Sequence, residues 1–188
     1  DAVEQCWDRA FVLQRCGHPV DKIEIIVLGG TWSHYPKEYQ REFIRDTYYA
    51  MNTFPEHLKN INEEGVKIQY RKRLSLEEEI RINHTTQCRI IGLTLETRPD
   101  CINKREIKLF REYNATRIQL GVQHIDNDVL KKINRGCTNE DTEKANYLLN
   151  QNCYKVDWHL MPDLPGSSLE KDRDMFRRLL ECSITKIN

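Results

Sequence analysis

The sequence predicts an α/β fold built on a parallel sheet. Four short apolar runs, at 23–28, 89–95, 117–122 and 155–161, have the length and composition of buried strands. Each run is followed by a segment whose apolar residues recur with helical spacing. Strands that alternate with helices pack as parallel sheets with helical crossovers. An open doubly wound sheet and a barrel both fit this alternation, and periodicity alone does not choose between them.

Apolar spacing and capping residues predict the helices. The first spans 1–16 and ends at Gly17, which suits the end of a helix, just before Pro19. A capping-box pattern at 75–78 predicts that another helix begins there. The other predicted helices span 36–51, 103–113, 126–133, 141–150 and 169–182. The segment 183–188 predicts the beginning of one more strand, near Ile184.

Composition indicates one globular domain. The chain has 188 residues, of which 39% are hydrophobic and 31% charged, and both fractions are ordinary. Lys plus Arg and Asp plus Glu number 29 each, so the net charge does not point to a polyanionic partner. No run of 18 apolar residues is present, and we expect no membrane span. The sequence begins with Asp1 and lacks a signal-peptide pattern, so we expect part of a larger protein.

The cysteines do not form a recognisable disulfide or metal pattern. Their number is odd, their spacings are wide, and CxxC and CxxxCxxC are both absent. We interpret them as reduced thiols of an intracellular protein, mostly small buried hydrophobes. The seven are Cys6, Cys16, Cys88, Cys101, Cys137, Cys153 and Cys182.

Candidate ligand-binding residues follow the predicted strands, because ligands of parallel α/β proteins bind at the carboxyl ends of strands. Gly29 and its neighbour Gly30 let a backbone approach a ligand, although an ordinary turn is the alternative. The Glu96 carboxylate can accept from an amine or a ribose, or it can pair with a nearby base such as Arg98. Gln123 can donate and accept. Arg135 suits bidentate binding of a carboxylate, and a solvated surface arginine is the alternative.

A second candidate surface is basic. Lys67, Arg71, Lys72 and Arg73 surround Tyr70, so this segment could meet RNA phosphates and stack on a base. A solvated charged face is the alternative.

Five segments together resemble the radical S-adenosylmethionine (SAM) domain of the Elongator catalytic subunit family. They are VLGGT at 27–31, LETRPD at 95–100, GVQ at 121–123, NRG at 134–136 and HLMPDLP at 159–165. The resemblance covers about 20–188, and LETRPD and MPDLPG are its specific parts. The GVQ and LPG segments also resemble oxygen-independent coproporphyrinogen oxidases, but TRPD and MPDLP favour Elongator.

The resemblance implies a partial (β/α)6 barrel of the TIM-like, radical SAM type. It implies SAM and a [4Fe–4S] cluster as cofactors and acetyl-CoA as co-substrate. A 5′-deoxyadenosyl radical would start carboxymethylation at carbon 5 of the wobble uridine of tRNA. By position in the segments, Gly29, Gly30 and Thr31 would hold the SAM amino group, and Arg135 its carboxylate. Glu96 and Gln123 would contact the ribose or methionine part, and His159 and Met161 the adenosine.

The same resemblance sets expectations about the rest of the protein. We expect the cluster cysteines upstream of this chain and an acetyltransferase domain downstream, which makes 1–188 a core truncated at both ends and inactive by itself. The charged segment 52–87 is expected to be an insertion. No catalytic residue or metal ligand is assigned within the chain. Expected partners are tRNA, other Elongator subunits and an electron donor, in the cytoplasm and also the nucleus. A non-catalytic RNA-binding scaffold and a coproporphyrinogen-oxidase-like enzyme are the alternatives.

Overall fold

The structure is a computed structural model that describes residues 1–62 and 69–184, and it has an α/β fold. Its strands form one parallel sheet in the order β1-β2-β3-β4. A doubly wound sheet reverses its strand order at a switch point, and the four described strands do not. This sequential order is the one that a partial barrel has. The strands are β1 Lys22–Val27, β2 Arg89–Thr97, β3 Arg117–Gln123 and β4 Lys155–Leu160.

Seven helices lie in the described residues, and all the predicted helices are among them. They are α1 Ala2–Arg15, α2 Lys37–Asn62, α3 Leu76–Asn83, α4 Lys104–Glu112, α5 Asn127–Lys132, α6 Asn139–Gln151 and α7 Leu169–Ile184. The predicted capping box is present, because Ser75 Oγ accepts from the Glu78 N–H and the Glu78 carboxylate accepts from the Ser75 N–H. Two short 3-10 helices, Trp32–His34 and Pro99–Cys101, follow β1 and β2.

Two predicted boundaries are wrong. Helix α2 does not end at residue 51 but continues to Asn62 through Pro55. A strand was expected to begin near Ile184, but helix α7 continues to Ile184. The remainder of that predicted strand, 185–188, lies outside the described residues.

The first compact unit comprises 1–28, 34–95 and 108–116. Within it β1 pairs in parallel with β2, from Lys22 opposite Arg89 to Val27 opposite Leu95. Helix α1 packs on α2, and the indole N–H of Trp7 donates to the Ala50 carbonyl at 2.9 Å. Apolar side chains from both helices form this core.

A buried polar network explains why α2 is longer than predicted. Asn52 follows the predicted helix end, yet it is buried and donates to the carboxylate of Glu79, which is 0% exposed. Arg71 holds the same carboxylate with two bonds of 2.6 Å. Burial by itself would raise the pKa of Glu79, but the bonds from Arg71, the Leu74 N–H and Asn52 outweigh it and lower that pKa. The polar residues at the start of 52–87 are therefore buried with their partners. That this segment is an insertion stays a prediction.

The second unit comprises 29–33, 96–107 and 117–188. Its strands β3 and β4 pair in parallel, from Arg117 opposite Lys155 to Gln123 opposite Leu160, with an irregularity before Gln123. Alternate β3 residues Ile118, Leu120 and Val122 are completely buried. No described helix is long and apolar enough to cross a membrane.

Candidate functional site

The loop after β1 adopts a backbone that requires glycine. Gly29 and Gly30 have φ of +108° and +85°, in the left-handed region. A side chain at Gly29 would meet no atom within 4 Å, so the conformation, and not space, selects glycine there. The Thr97 hydroxyl at the end of β2 donates to Ser33 Oγ at 2.8 Å. The Gly29–Gly30–Thr31 loop is therefore tied to the end of β2.

Glu96 and His159 meet in this unit. Glu96 Oε1 lies 3.3 Å from Nδ1 of His159, and both side chains are partly exposed. The alternative at this position was pairing of Glu96 with Arg98 or another nearby base, and the base that Glu96 meets is His159, not Arg98. Arg98 instead holds Asp100 with two bonds of 2.9 Å, because the chain turns into a 3-10 helix after β2. The carboxylate of Glu96 faces the end of β4.

The end of β3 is bent at Gln123. Its φ is +70°, which is uncommon for a residue other than glycine and is typical of functional sites. The Gln123 carbonyl accepts from the Met161 N–H at 2.8 Å, which places two predicted site residues side by side. The Met161 side chain is 51% exposed. The amide oxygen Oε1 of Gln123 is buried and has no hydrogen-bond partner among the described residues.

Arg135 lies in the turn after α5 and folds back onto β3. Its Nη2 donates to the Gly121 carbonyl. A Cβ at Gly121 would come within 2.7 Å of that same Nη2, so the absence of a side chain at Gly121 makes the room. Nε of Arg135 is buried without a partner in the described part of the chain. The alternative of a solvated surface arginine does not describe this residue.

Gln123 Oε1 and Arg135 Nε lie by the end of β3, where ligands of parallel sheets bind, whereas Gln119 Oε1, also buried without a partner among the described residues, lies further back in the strand. A buried polar atom without a partner costs about 1–3 kcal/mol, so folded proteins rarely keep one without a use. Gln123 offers an acceptor and Arg135 a charged donor, both at the carboxyl end of β3. A ligand with a hydroxyl or amine and a carboxylate would satisfy both.

His124, also at this end of β3, belongs to a supporting network. The Asp126 N–H donates to its Nδ1 at 2.9 Å, so the proton of the neutral ring is on Nε2. Nε2 lies 3.3 Å from both Asp172 Oδ1 and Ser167 Oγ. A Ser–His–Asp triad needs the carboxylate on the opposite ring nitrogen from the serine, so this cluster does not activate a nucleophile. It anchors the loop that follows β4, where the Asp163 N–H donates to Asp172.

The basic segment is engaged within the first unit. Arg71 binds Glu79, and Arg73 pairs with Asp1 at 3.4 Å and Asp46 at 3.3 Å. Lys72 is exposed, and Lys67 lies outside the described residues. Binding of RNA by these four residues stays a prediction.

The cysteines that the structure describes are free thiols. Cys88 and Cys137 are buried, as expected, whereas Cys16 and Cys153 are exposed. Burial raises the pKa of Cys6 to about 11 and that of Cys88 to about 12. Within residues 1–62 and 69–184, no group of three His, Cys, Asp or Glu side chains could hold a metal ion. The described residues therefore do not fit an iron–sulfur cluster.

The fold and the site define a parallel α/β protein with a polar ligand site at its strand ends. The profile of the radical SAM superfamily matches residues 13–179. The chain belongs to the radical SAM superfamily.

Relatives and one solved structure show where the similarity lies. The chain is 42% identical over 167 residues to a tRNA uridine(34) acetyltransferase of Methanocaldococcus infernus, covering 89% of this chain and 28% of that protein. It is 41% identical to the Dehalococcoides mccartyi protein of the same name, over 96% of this chain and 36% of the relative. It is 37% identical to human Elongator complex protein 3, and the match covers 96% of this chain and 30% of that protein. The solved structure of archaeal M. infernus Elp3 with an N-terminal deletion superposes with a TM-score of 0.83 at 42% identity, covering 94% of this chain and 38% of that one.

The superfamily implies SAM and a [4Fe–4S] cluster. The site fits SAM, since the buried acceptor of Gln123 and the buried donor of Arg135 match the hydroxyl, amine and carboxylate groups of that molecule. The structure brings the predicted residues into two direct contacts, Glu96 with His159 and Gln123 with Met161. Their roles toward SAM stay predictions.

Gly121 was missed as a site residue from sequence, and it makes room for Arg135. Arg98 was named from sequence, with Asp100 and His124, only as a residue that could support its neighbours, and it contacts the turn that carries Arg135. Both lie inside the segments that carried the resemblance, one or two residues from predicted site residues, and that proximity was the available signal.

Proposed function

We propose that this chain is the SAM-binding part of an enzyme that modifies the wobble uridine of tRNA. The observation that carries the proposal is the pair of unpartnered buried atoms, Gln123 Oε1 and Arg135 Nε, at the strand ends of a radical SAM fold. The names of the relatives support tRNA as substrate. The chain spans about a third of the length of those relatives, so activity and substrate belong to the whole protein.

In this proposal each strand end has one task. The Gly29–Gly30–Thr31 loop presents backbone groups to the SAM amino group, because its glycines have no side chain in the way. Arg135 binds the carboxylate, and Gln123 accepts from a hydroxyl or amine. Glu96 accepts from the ribose while His159 fixes the direction of its carboxylate. His159 and Met161 flank the adenosine.

The chemistry proposed for the whole protein is carboxymethylation at carbon 5 of the wobble uridine, with acetyl-CoA as co-substrate. Bound SAM would supply a 5′-deoxyadenosyl radical when it is reduced by a cluster. The residues of this chain bind and orient. Since the described residues do not fit a cluster, we place its ligands outside this chain. Other Elongator subunits and an electron donor would be partners, in the cytoplasm and the nucleus.

The relatives favour this proposal over a coproporphyrinogen-oxidase-like enzyme, because those at 41–42% identity carry a tRNA-modification name. The experiment is a titration of the intact, anaerobically reconstituted protein with SAM, followed by an assay for 5′-deoxyadenosine after reduction. We expect binding and deoxyadenosine formation, and Glu96→Gln and Arg135→Ala should weaken binding while the thermal midpoint is kept. A folded protein that binds tRNA but neither SAM nor a cluster would refute the proposal and support a non-catalytic scaffold.

A further inference from the structure

Arg98 makes two different sets of contacts with one guanidinium. Nε and Nη2 each donate to an oxygen of Asp100 at 2.9 Å, which fixes the plane of the group. Nη2 also donates to the Gly136 carbonyl at 3.3 Å. Arg98 therefore joins the end of β2 to the turn after α5.

That turn is shaped to receive Arg98. Gly136 has φ of +71°, which disfavours any side chain, and a Cβ there would lie 3.2 Å from Nη2 of Arg98. Asn134, on the other side of Arg135, is also left-handed at φ +54°. Two left-handed residues thus flank Arg135: Asn134 closes the end of α5, and Gly136 lets the chain turn where Arg98 contacts it.

The two sides of Arg135 are held by different elements. The Arg135 N–H donates to the Leu130 carbonyl of α5 at 2.9 Å. The following residue, Gly136, is held by Arg98. Between these two anchors the Arg135 side chain reaches the Gly121 carbonyl on β3.

We propose that Arg98 and Asp100 are a positioning pair that fixes Arg135 for the carboxylate of SAM. Asp100 holds the guanidinium of Arg98, Arg98 holds the Gly136 carbonyl, and the turn so held aims Arg135. The inference deepens the proposed function and rests on it. Arg98 acts through Arg135 and is not itself a catalytic residue.

Lysine cannot replace Arg98 in this role. Its ammonium is a point charge that lacks the planar fork needed to hold Asp100 through two bonds and reach Gly136 as well. Arg98→Lys therefore separates positioning from charge: if Arg98 merely attracted the SAM carboxylate, lysine would serve.

The test is a double-variant cycle on the intact protein, with S-adenosylhomocysteine as the calorimetric probe. The variants are Arg98→Ala, Arg98→Lys, Asp100→Asn, Arg135→Ala and the pair Arg98→Ala with Arg135→Ala. Arg105→Ala is the matched control, because Arg105 is an exposed arginine at the second position of α4. Thermal midpoints are recorded for each.

We expect Arg135→Ala to weaken binding at least about tenfold, and Arg98→Ala and Arg98→Lys about tenfold each. The double variant should bind within about twofold of Arg135→Ala alone, because a positioning residue has nothing left to position. Asp100→Asn should weaken binding in the same direction, and Arg105→Ala should not change it.

Additive losses in the double variant, about hundredfold together, would overturn the inference. So would wild-type affinity in Arg98→Lys or in Asp100→Asn. If Arg98→Ala does not fold, Arg98→Lys and Asp100→Asn decide the matter. Absence of binding by the wild-type protein would overturn the proposed function and this inference with it, whereas additive losses overturn the inference alone.

Discussion

A methyl group at Gly121 should impair the site without unfolding the protein. In Gly121→Ala the new Cβ would lie 2.7 Å from Nη2 of Arg135 and 3.4 Å from Nε2 of Gln123. A Cβ atom does not come within 2.7 Å of a nitrogen to which it is not bonded, so either the Arg135 side chain or the backbone at Gly121 must move. The end of a flexible side chain moves more easily than a buried strand, and Arg135 is therefore displaced.

The magnitude follows from what Arg135 would donate. A hydrogen bond to a charged group contributes about 1.5–3 kcal/mol, which corresponds to roughly 10–150-fold in dissociation constant. The cost to folding should be about 1–2 kcal/mol, because the side-chain rotation that relieves the clash gives up the bond from Arg135 to the Gly121 carbonyl. The protein should therefore stay folded while its binding of ligand is weakened.

The assay is calorimetric titration of the intact protein with S-adenosylhomocysteine, together with thermal unfolding. Gly92→Ala is the matched control, since Gly92 is also a buried strand glycine and its Cβ would meet the flexible Glu24 side chain at 3.2 Å. The reasoning is refuted if Gly121→Ala binds as tightly as the wild type. It is equally refuted if Gly92→Ala loses binding to the same extent.

Three further outcomes follow from the described contacts. Arg71→Ala should lower the free energy of unfolding by about 2 kcal/mol, measured by chemical denaturation. This is less than the 3–5 kcal/mol that breaking a fully buried pair costs, because Arg71 is 36% exposed while Glu79 is buried. The control Lys72→Ala should change the free energy of unfolding little. The Ser167 hydroxyl and the Asp163 N–H lower the pKa of Asp172 below 3.8. The Asp172 carboxylate therefore stabilises the fold fully above that pH, and this contribution is lost as the pH falls further. In Asp172→Asn the free energy of unfolding should depend less on pH in this acid range. Cys88, with a pKa raised to about 12, should resist a thiol reagent in the folded protein while exposed thiols react.

The sequence predicts the strands well and one helix poorly, for a physical reason. Strands β1 to β4 were located by short segments rich in β-branched and other apolar residues, although the expected full burial of β1 is wrong, since its residues alternate between exposed and half-buried. The end of α2 was misplaced because Asn52 and Thr53 are polar, and hydrophobic periodicity assigns polar residues to solvent. Both are buried, and Asn52 is satisfied by Glu79 of α3, which lies 27 residues further along the chain. No local pattern contains such a long-range partner.

The location of the candidate site was predictable, but its pairing was not. Residues after parallel strands meet at one edge, so Glu96 and Gln123 could be named from their positions. The base that Glu96 meets is not Arg98, the base nearest in sequence, but His159 from another strand. Sequence spacing predicts neighbours only while the backbone stays regular, and here Pro99 turns the chain immediately after β2.

The end of β2 explains why its segment carried so much of the resemblance. Three consecutive side chains contact three different segments: Glu96 reaches His159 of β4, Thr97 reaches Ser33 of the first 3-10 helix, and Arg98 reaches Gly136 in the turn after α5. A substitution at any of them would disturb a different part of the same site, so the three are constrained together. A segment with separate long-range contacts at each position is more specific to one architecture than a glycine turn, whose requirement is only conformational. The LETRPD segment is therefore a more specific indicator of this site than GGT.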